Sequence, residues 1–214
     1  MSTQNNNVIL VFVKNPILGH VKTRLAKSIG DSKALQVYQS LLQITKNVTE
    51  ALPCDRQVWY SQSVEENDLW DKNIYSKFLQ KGDDLGKRMQ LAFKQAFEDG
   101  YSKVIIIGSD CPDLSPQLIN KAFEALNNHQ TVIGPSEDGG YYLLGMKHYY
   151  PFLFEDKKWS HDSVFQDTVN QMKNHSISFK QLPVLNDIDT ESDLNKSDFM
   201  KVLLDGGIKL SPNP

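Results

Sequence analysis

Cysteine is scarce in this 214-residue sequence: Cys54 and Cys111 are the only two, and neither stands in a Cys-x-x-Cys pair. A disulfide framework and a thiolate zinc site therefore have no basis, and both side chains are read as reduced thiols. No apolar run approaches the roughly 20 residues of a membrane span. Met1–Asn7 lacks the charged and apolar regions of a signal peptide, so a cytoplasmic location is expected. Neither sign of charge is in excess, since 23 basic against 26 acidic residues leave a formal net charge of -3. That supplies no broad field for nucleic acid or an anionic membrane, so basic residues must act locally. The GxxxxGK[ST] phosphate loop, the GxGxxG dinucleotide fingerprint and the G-x-S-x-G elbow are all missing. Ser160, His161 and Asp162 are sequence neighbours, which cannot simply form a catalytic triad. The run Asp187-Ile188-Asp189-Thr190 misses the aspartyl-phosphate pattern DxDx[TV] by one position and lies near the wrong end of the chain.

No composition shift or Gly/Ser-rich linker divides the chain, so one domain is expected over residues 8–205, with a disordered stretch at 1–7 and a tail at 206–214. Val8–Val13 reads as a strand, and a polar loop broken by Pro16 and Gly19 follows it to Arg24. Leu35, Tyr38, Leu42, Thr45, Val48 and Leu52 recur at three- and four-residue steps, which predicts a helix over 32–52. Further helices are expected over 84–99, 116–128 and 162–175, and strands over 56–61, 78–80, from Val104, over 131–134, 141–146 and 178–182. Ser115 followed by Pro116 has the chemistry of an N-cap and first helical position. Thr190, with Asp193 three residues on, caps a last helix. Strands alternating with helices predict a three-layer α/β/α sandwich on a mostly parallel, mixed sheet.

Asp110 sits just past the apolar strand at Val104–Ile107, and open α/β sheets collect ligands outside the carboxyl ends of their strands. It is a candidate ligand for a divalent cation such as Mg²⁺, which takes carboxylates together with substrate phosphates. Asp113 is expected to serve the start of the following helix. Lys14, Lys22 and Arg24 lie in one loop after the first strand, with Lys27 a turn further on, and suit a di- or triphosphate as well as a solvated basic turn. Asp187 and Asp189 offer a second acidic turn, where helix capping accounts for one acid more easily than two. Gly139 and Gly140 after Asp138 permit close backbone approach to a ligand, or an ordinary tight turn. Asp84, Gly86 and Arg88 mark a helix start that could receive an anion, although surface capping is the simpler and preferred reading.

Five segments together resemble a known family: Lys22-Thr23-Arg24-Leu25, Asp84–Met89, Gly108–Leu114, Pro135–Tyr142 and Asp187–Leu194. The resemblance, over about residues 8–200, is to the GT-A-type glycosyltransferase-like family labelled selenodomain-associated transferase, within the nucleotide-diphospho-sugar transferase superfamily. More distantly it extends to the 2-phospholactate guanylyltransferases. It implies a Rossmann-like fold, a nucleotide or nucleotide-sugar donor, a small-molecule acceptor and Mg²⁺ or Mn²⁺ as cofactor. Carried over, Lys14, Lys22 and Arg24 contact donor phosphates, with Asp84, Gly86 and Arg88 as further phosphate-binding candidates. Asp110, Asp138 and Asp189 are the catalytic carboxylates, and Asp110 with Asp189 or Asp187 forms the metal site. Gly139, Gly140, Trp159 and Ser160 lie on the acceptor side, where this chain departs from the pattern by having His161 in place of the Thr that tends to follow. The implied reaction is sugar transfer from a nucleoside diphosphate sugar. The alternatives are nucleotidyl transfer with release of pyrophosphate, and a nucleotide-binding module without catalysis.

Overall fold

The run Val8–Val13 offers an apolar side chain to each side of the chain, and the fold uses both. In the computed structural model, which describes residues 6–159 and 161–199 together with Lys201 and Leu203, this run lies in β1 (Asn7–Val13). The strand thus begins at Asn7, one residue inside the stretch expected to be disordered. Ile9, Val11 and Val13 pack into one core cluster, and Val8, Leu10 and Phe12 into another on the opposite face. This is the two-residue alternation of a strand covered on both sides.

The chain continues through α1 (Thr23–Ile29), α2 (Asp31–Glu50), β2 (Asp55–Tyr60), β3 (Ser76–Leu79), α3 (Leu85–Glu98) and β4 (Lys103–Ile107). Then follow α4 (Pro116–Asn128), β5 (Thr131–Pro135), β6 (Tyr141–Met146), a 3-10 turn at Pro151–Phe154, α5 (Val164–Asn174), β7 (Phe179–Gln181) and α6 (Glu191–Lys196). The strands form one sheet in the order β3-β2-β1-β4-β6-β5-β7. All pairings are parallel except the two made by β6, which is the mixed, mostly parallel sheet expected. Helix α1 occupies residues read as loop at Arg24, because seven residues are too few for a helical period to register. Helix α5 starts at Val164 rather than at Asp162, after a turn closed by Val164 N donating to His161 O at 3.2 Å. The caps are as expected: the Ser115 hydroxyl accepts from Leu118 N, and Thr190 and Asp193 form a reciprocal capping box. Among the described residues no helix is long and apolar enough to cross a membrane.

From β1 the chain steps outward to β2 and β3, then returns to place β4 on the other flank of β1. The loops leaving β1 and β4 diverge there, so a crevice opens at their carboxyl ends. A third apolar cluster lies under one side of that crevice: Leu25 and Ile29 of α1, Val37 and Leu41 of α2, and Ile188, Leu194, Phe199 and Leu203 from the C-terminal part. It joins the loop after β1 to the acidic turn before α6.

Candidate active site

Lys14 is the first residue beyond β1, and Asp110 follows β4 by three residues. Lys22 is the N-cap of α1, with φ 49° and ψ 41°, a left-handed conformation that L-residues adopt at a cost. Its side chain is 4% exposed, and its Nζ lies 2.6 Å from Asp110 Oδ1 and 3.1 Å from Asp189 Oδ1. Asp189 reaches this point because Ile188, fully buried with Leu25 and Leu194 in the third cluster, donates its backbone N–H to Asp110 O at 3.0 Å. One packing unit therefore sets both carboxylates. Arg24, two-thirds exposed, places Nη1 at 3.7 Å from Asp189 Oδ2. A cavity of about 90 Å³ is lined by Lys14, Lys22, Thr23, Arg24, Tyr38, Asp110 and Asp189.

Burial works against the charge on Lys22, but Asp110 and then Asp189 outweigh it and hold the ammonium above its ordinary pKa. Burial also opposes ionisation of Asp189, while Lys22, Arg24 and Lys14 together bring it below the usual carboxylate range. The phenol of Tyr38, raised by burial and by Asp110, stays protonated and acts as a fastener. Its oxygen accepts from Lys14 N at 2.8 Å and donates to Lys14 O at 3.0 Å, and it lies 3.3 Å from Ser109 Oγ. Asp187 has a different environment from Asp189. Its Oδ2 accepts from Ser136 Oγ at 2.8 Å, and burial, with Asp110 adding to it, pushes its pKa up to about 7.

Asp110 and Asp189 converge on one point in space, since each gives an oxygen to the same ammonium. Two converging carboxylates fit a hard divalent cation that completes its shell with water and substrate phosphate. They do not make a cage for a metal alone, and among the described residues no group of three or more His, Cys, Asp or Glu side chains gathers to hold one.

The remaining candidates lie elsewhere. Asp84 caps α3, its Oδ1 accepting from Lys87 N at 2.7 Å, and Arg88 Nε donates to Gly82 O at 3.0 Å. Gly86 does allow a close approach, but the approaching group is the Trp159 indole: a Cβ at 86 would sit 2.1 Å from that ring. A helix-start site expected to receive a phosphate and a side chain expected to receive the acceptor thus pack on each other. Gly139, at φ 87°, brings its backbone against that of Asp162, where an added Cβ would lie 2.0 Å from the carbonyl oxygen. Gly140 N donates to Asp138 Oδ1 at 2.9 Å, and neither Asp138 nor the glycines line the cavity. Lys27 is exposed on α1 and also stands outside the lining. Ser160 lies outside the described residues. Tyr38 and Ser136 were not singled out by their sequence context. A tyrosine on the buried stripe of a helix is the available signal for Tyr38, because its hydroxyl must find a partner.

Residues 44–161, more than half of the chain, match the family described as "Uncharacterized protein conserved in bacteria (DUF2064)". Two curated relatives are both named 2-phospho-L-lactate guanylyltransferase. The one from Methanocaldococcus vulcanius is 27% identical over 141 residues, covering 65% of this chain and 61% of that protein. The one from Methanocaldococcus jannaschii is 29% identical over 136 residues, 61% of this chain and 56% of that protein. The chain thus spans only about six-tenths of the length of these relatives. A crystal structure from Desulfovibrio desulfuricans, named "putative nucleotide-diphospho-sugar transferase", has 33% identity and a TM-score of 0.83, and covers 95% of this chain and 96% of that one. These similarities agree with the resemblance carried by the five motifs, and the extent of the family match shows that the chain belongs to DUF2064.

Proposed function

We propose that the chain is a metal-dependent nucleotide-using transferase, and that its reaction is nucleotidyl transfer from a nucleoside triphosphate to a small phosphorylated acceptor. The observation that carries this is the convergence of Asp110 and Asp189 on Lys22 Nζ at the foot of a cavity that also receives Lys14 and Arg24. Three cationic side chains against two anionic ones leave the cavity one positive charge, and a divalent cation on the carboxylates would add two more. A triphosphate neutralises such a site more fully than the diphosphate of a sugar donor does. The names of the two Methanocaldococcus relatives support the same choice and suggest a phosphorylated 2-hydroxy acid as acceptor. Sugar transfer is the second reading, favoured by the name of the Desulfovibrio structure.

In this mechanism Lys14 and Arg24 hold the terminal phosphates, the Arg24 guanidinium forking onto two oxygens. The acceptor oxygen forms a bond to the α-phosphorus as the bond from that phosphorus to the α–β bridging oxygen breaks, and pyrophosphate leaves with the electron pair. A divalent cation held by Asp110 and Asp189 would neutralise charge building on the departing group. Tyr38 keeps Lys14 in place, and the rest of catalysis is positioning and electrostatics.

The test incubates the purified protein with Mg²⁺, each nucleoside triphosphate or nucleotide sugar, and a panel of phosphorylated 2-hydroxy acids. Metal-dependent pyrophosphate release is expected from a triphosphate. Release of a nucleoside diphosphate from a nucleotide sugar instead would move the assignment to sugar transfer, and no metal-dependent binding of either donor class would end both readings.

A further inference from the structure

The carboxylate pair at the crevice is already bridged by one of the chain's own cations. Resting on the metal-dependent reading above, we infer that Lys22 is a resident counter-ion which the site exchanges for metal only when a polyphosphate arrives with it. The ligand taken up is then a metal–polyphosphate complex, and free metal binds weakly.

The ammonium sits at hydrogen-bond distance from both carboxylates, 2.6 Å from Asp110 and 3.1 Å from Asp189. A second cation cannot take the same two Oδ1 atoms while the ammonium holds them, because like charges at that separation repel, even though the carboxylates themselves are 37% and 41% exposed. Metal that bridges the two carboxylates through those Oδ1 atoms therefore displaces Lys22. Its backbone has little room to follow: residue 22 caps a helix whose Leu25 and Ile29 are anchored in the third cluster, so only the flexible four-carbon stem can move. Its side chain is 4% exposed where it stands, so an ammonium moved off the two oxygens loses both ion-pair partners, and a poorly hydrated, unpaired charge is unfavourable. The cavity walls offer no third carboxylate as a replacement partner. Apart from Asp110 and Asp189 the lining consists of Lys14, Thr23, Arg24 and Tyr38, and the Tyr38 hydroxyl is already tied to the backbone of Lys14. A phosphate oxygen in the cavity is the partner that fits, and it satisfies Lys14 and Arg24 as well. Metal and polyphosphate are thus each favoured by the other through Lys22.

The decisive measurement titrates the 214-residue chain with Mn²⁺ alone and reads free Mn²⁺ by electron paramagnetic resonance. Lys22→Met keeps the stem and removes the competitor, so it is expected to bind Mn²⁺ roughly 10-fold more tightly than the wild-type chain, and adding Asp110→Asn is expected to abolish the gain. Equal or weaker binding by Lys22→Met overturns the inference, as does a gain that survives Asp110→Asn. Removing Lys22 leaves two carboxylates facing each other, so a second measurement uses the wild-type chain: its melting temperature with Mg²⁺ alone, tripolyphosphate alone, and both. The joint rise is expected to exceed the sum of the separate ones, and a joint rise no larger than that sum overturns the exchange. Neither readout requires turnover. Failure of every donor would end the transfer reading and leave the Mn²⁺ comparison standing, while the opposite Mn²⁺ order would end the exchange and leave transfer untouched.

Discussion

Gly139 shows how a residue's conformation separates two roles that its identity leaves open. With φ at 87° and Asp162 O only 2.0 Å from where a Cβ would stand, it is the point at which the turn after β5 seats against the 162–165 segment. Phe165 N donates back to Gly139 O at 2.9 Å. Gly139→Ala is expected to lower stability by roughly 2–4 kcal/mol, combining the left-handed penalty with the shift needed to clear the clash. Urea denaturation measures it, and a loss below about 0.5 kcal/mol, the range of ordinary surface changes, would mean that the contact with Asp162 yields freely. Which residues gather at the crevice was partly legible in the sequence. Lys14, Lys22, Arg24 and Asp110 follow strand ends, Asp189 stands in an acidic turn before a helix, and all five line one cavity. The bond from Lys22 to Asp189 was not legible, because it joins residues 167 positions apart. The same holds for Gly86, whose bare face is covered by Trp159, a partner that no local pattern announces.

At the scale of elements, the loop after β1 is shaped by a helix that does not enter the cavity as a ligand-binding element. Helix α2 was legible from its apolar spacing, yet its Tyr38 hydroxyl ties α2 to the end of β1 at Lys14 and stands 3.3 Å from Ser109 beyond β4. Tyr38→Phe keeps the ring in the core and deletes only these links. It leaves Lys14 N–H and C=O without their partner, which is expected to cost about 1–3 kcal/mol and to weaken donor binding several-fold. Calorimetric titration with a non-hydrolysable triphosphate, alongside denaturation, separates the two effects. Lost stability with unchanged affinity would show that other contacts place the loop. Helix α1 lay below the resolution of periodicity, since its seven residues include two buried positions, Leu25 and Ile29, four apart. Its existence depends on the partner cluster at Ile188 and Leu194, which is tertiary information.

For the molecule as a whole, the alternation of strands and helices made the layered sandwich legible, whereas the reversed direction of β6 between β4 and β5 was not, because pairing partners leave no trace in a single strand's pattern. Folding stability is likewise a property of the entire chain, and one half-buried group gives it a readable pH signature. Lys157 Nζ donates to Thr168 Oγ1 at 2.6 Å and lies 5.3 Å from the Trp159 ring. Burial pushes its pKa down to about 8, with Asp167 opposing part of the shift. Unfolded, the same amine titrates near its ordinary 10.5. Below about pH 8 both states are protonated and the full cost of burying the charge is present. Between about 8 and 10.5 the folded chain has released a proton that the unfolded chain still holds, so this group makes stability rise with pH through that window. Lys157→Met keeps an apolar stem in place and has no charge to desolvate, and Thr168 Oγ1 retains its bond to Val164 O at 2.8 Å. The variant is therefore expected to be more stable than the wild-type chain at pH 7, with an advantage that shrinks steadily towards pH 10.5. Taking the difference between the two proteins cancels the tyrosines that titrate in the same range. Urea unfolding of both at pH 7, 9 and 10.5 provides the measurement, and a difference that stays flat, or grows with pH, would show that Lys157 keeps its proton equally well in the folded and unfolded chains.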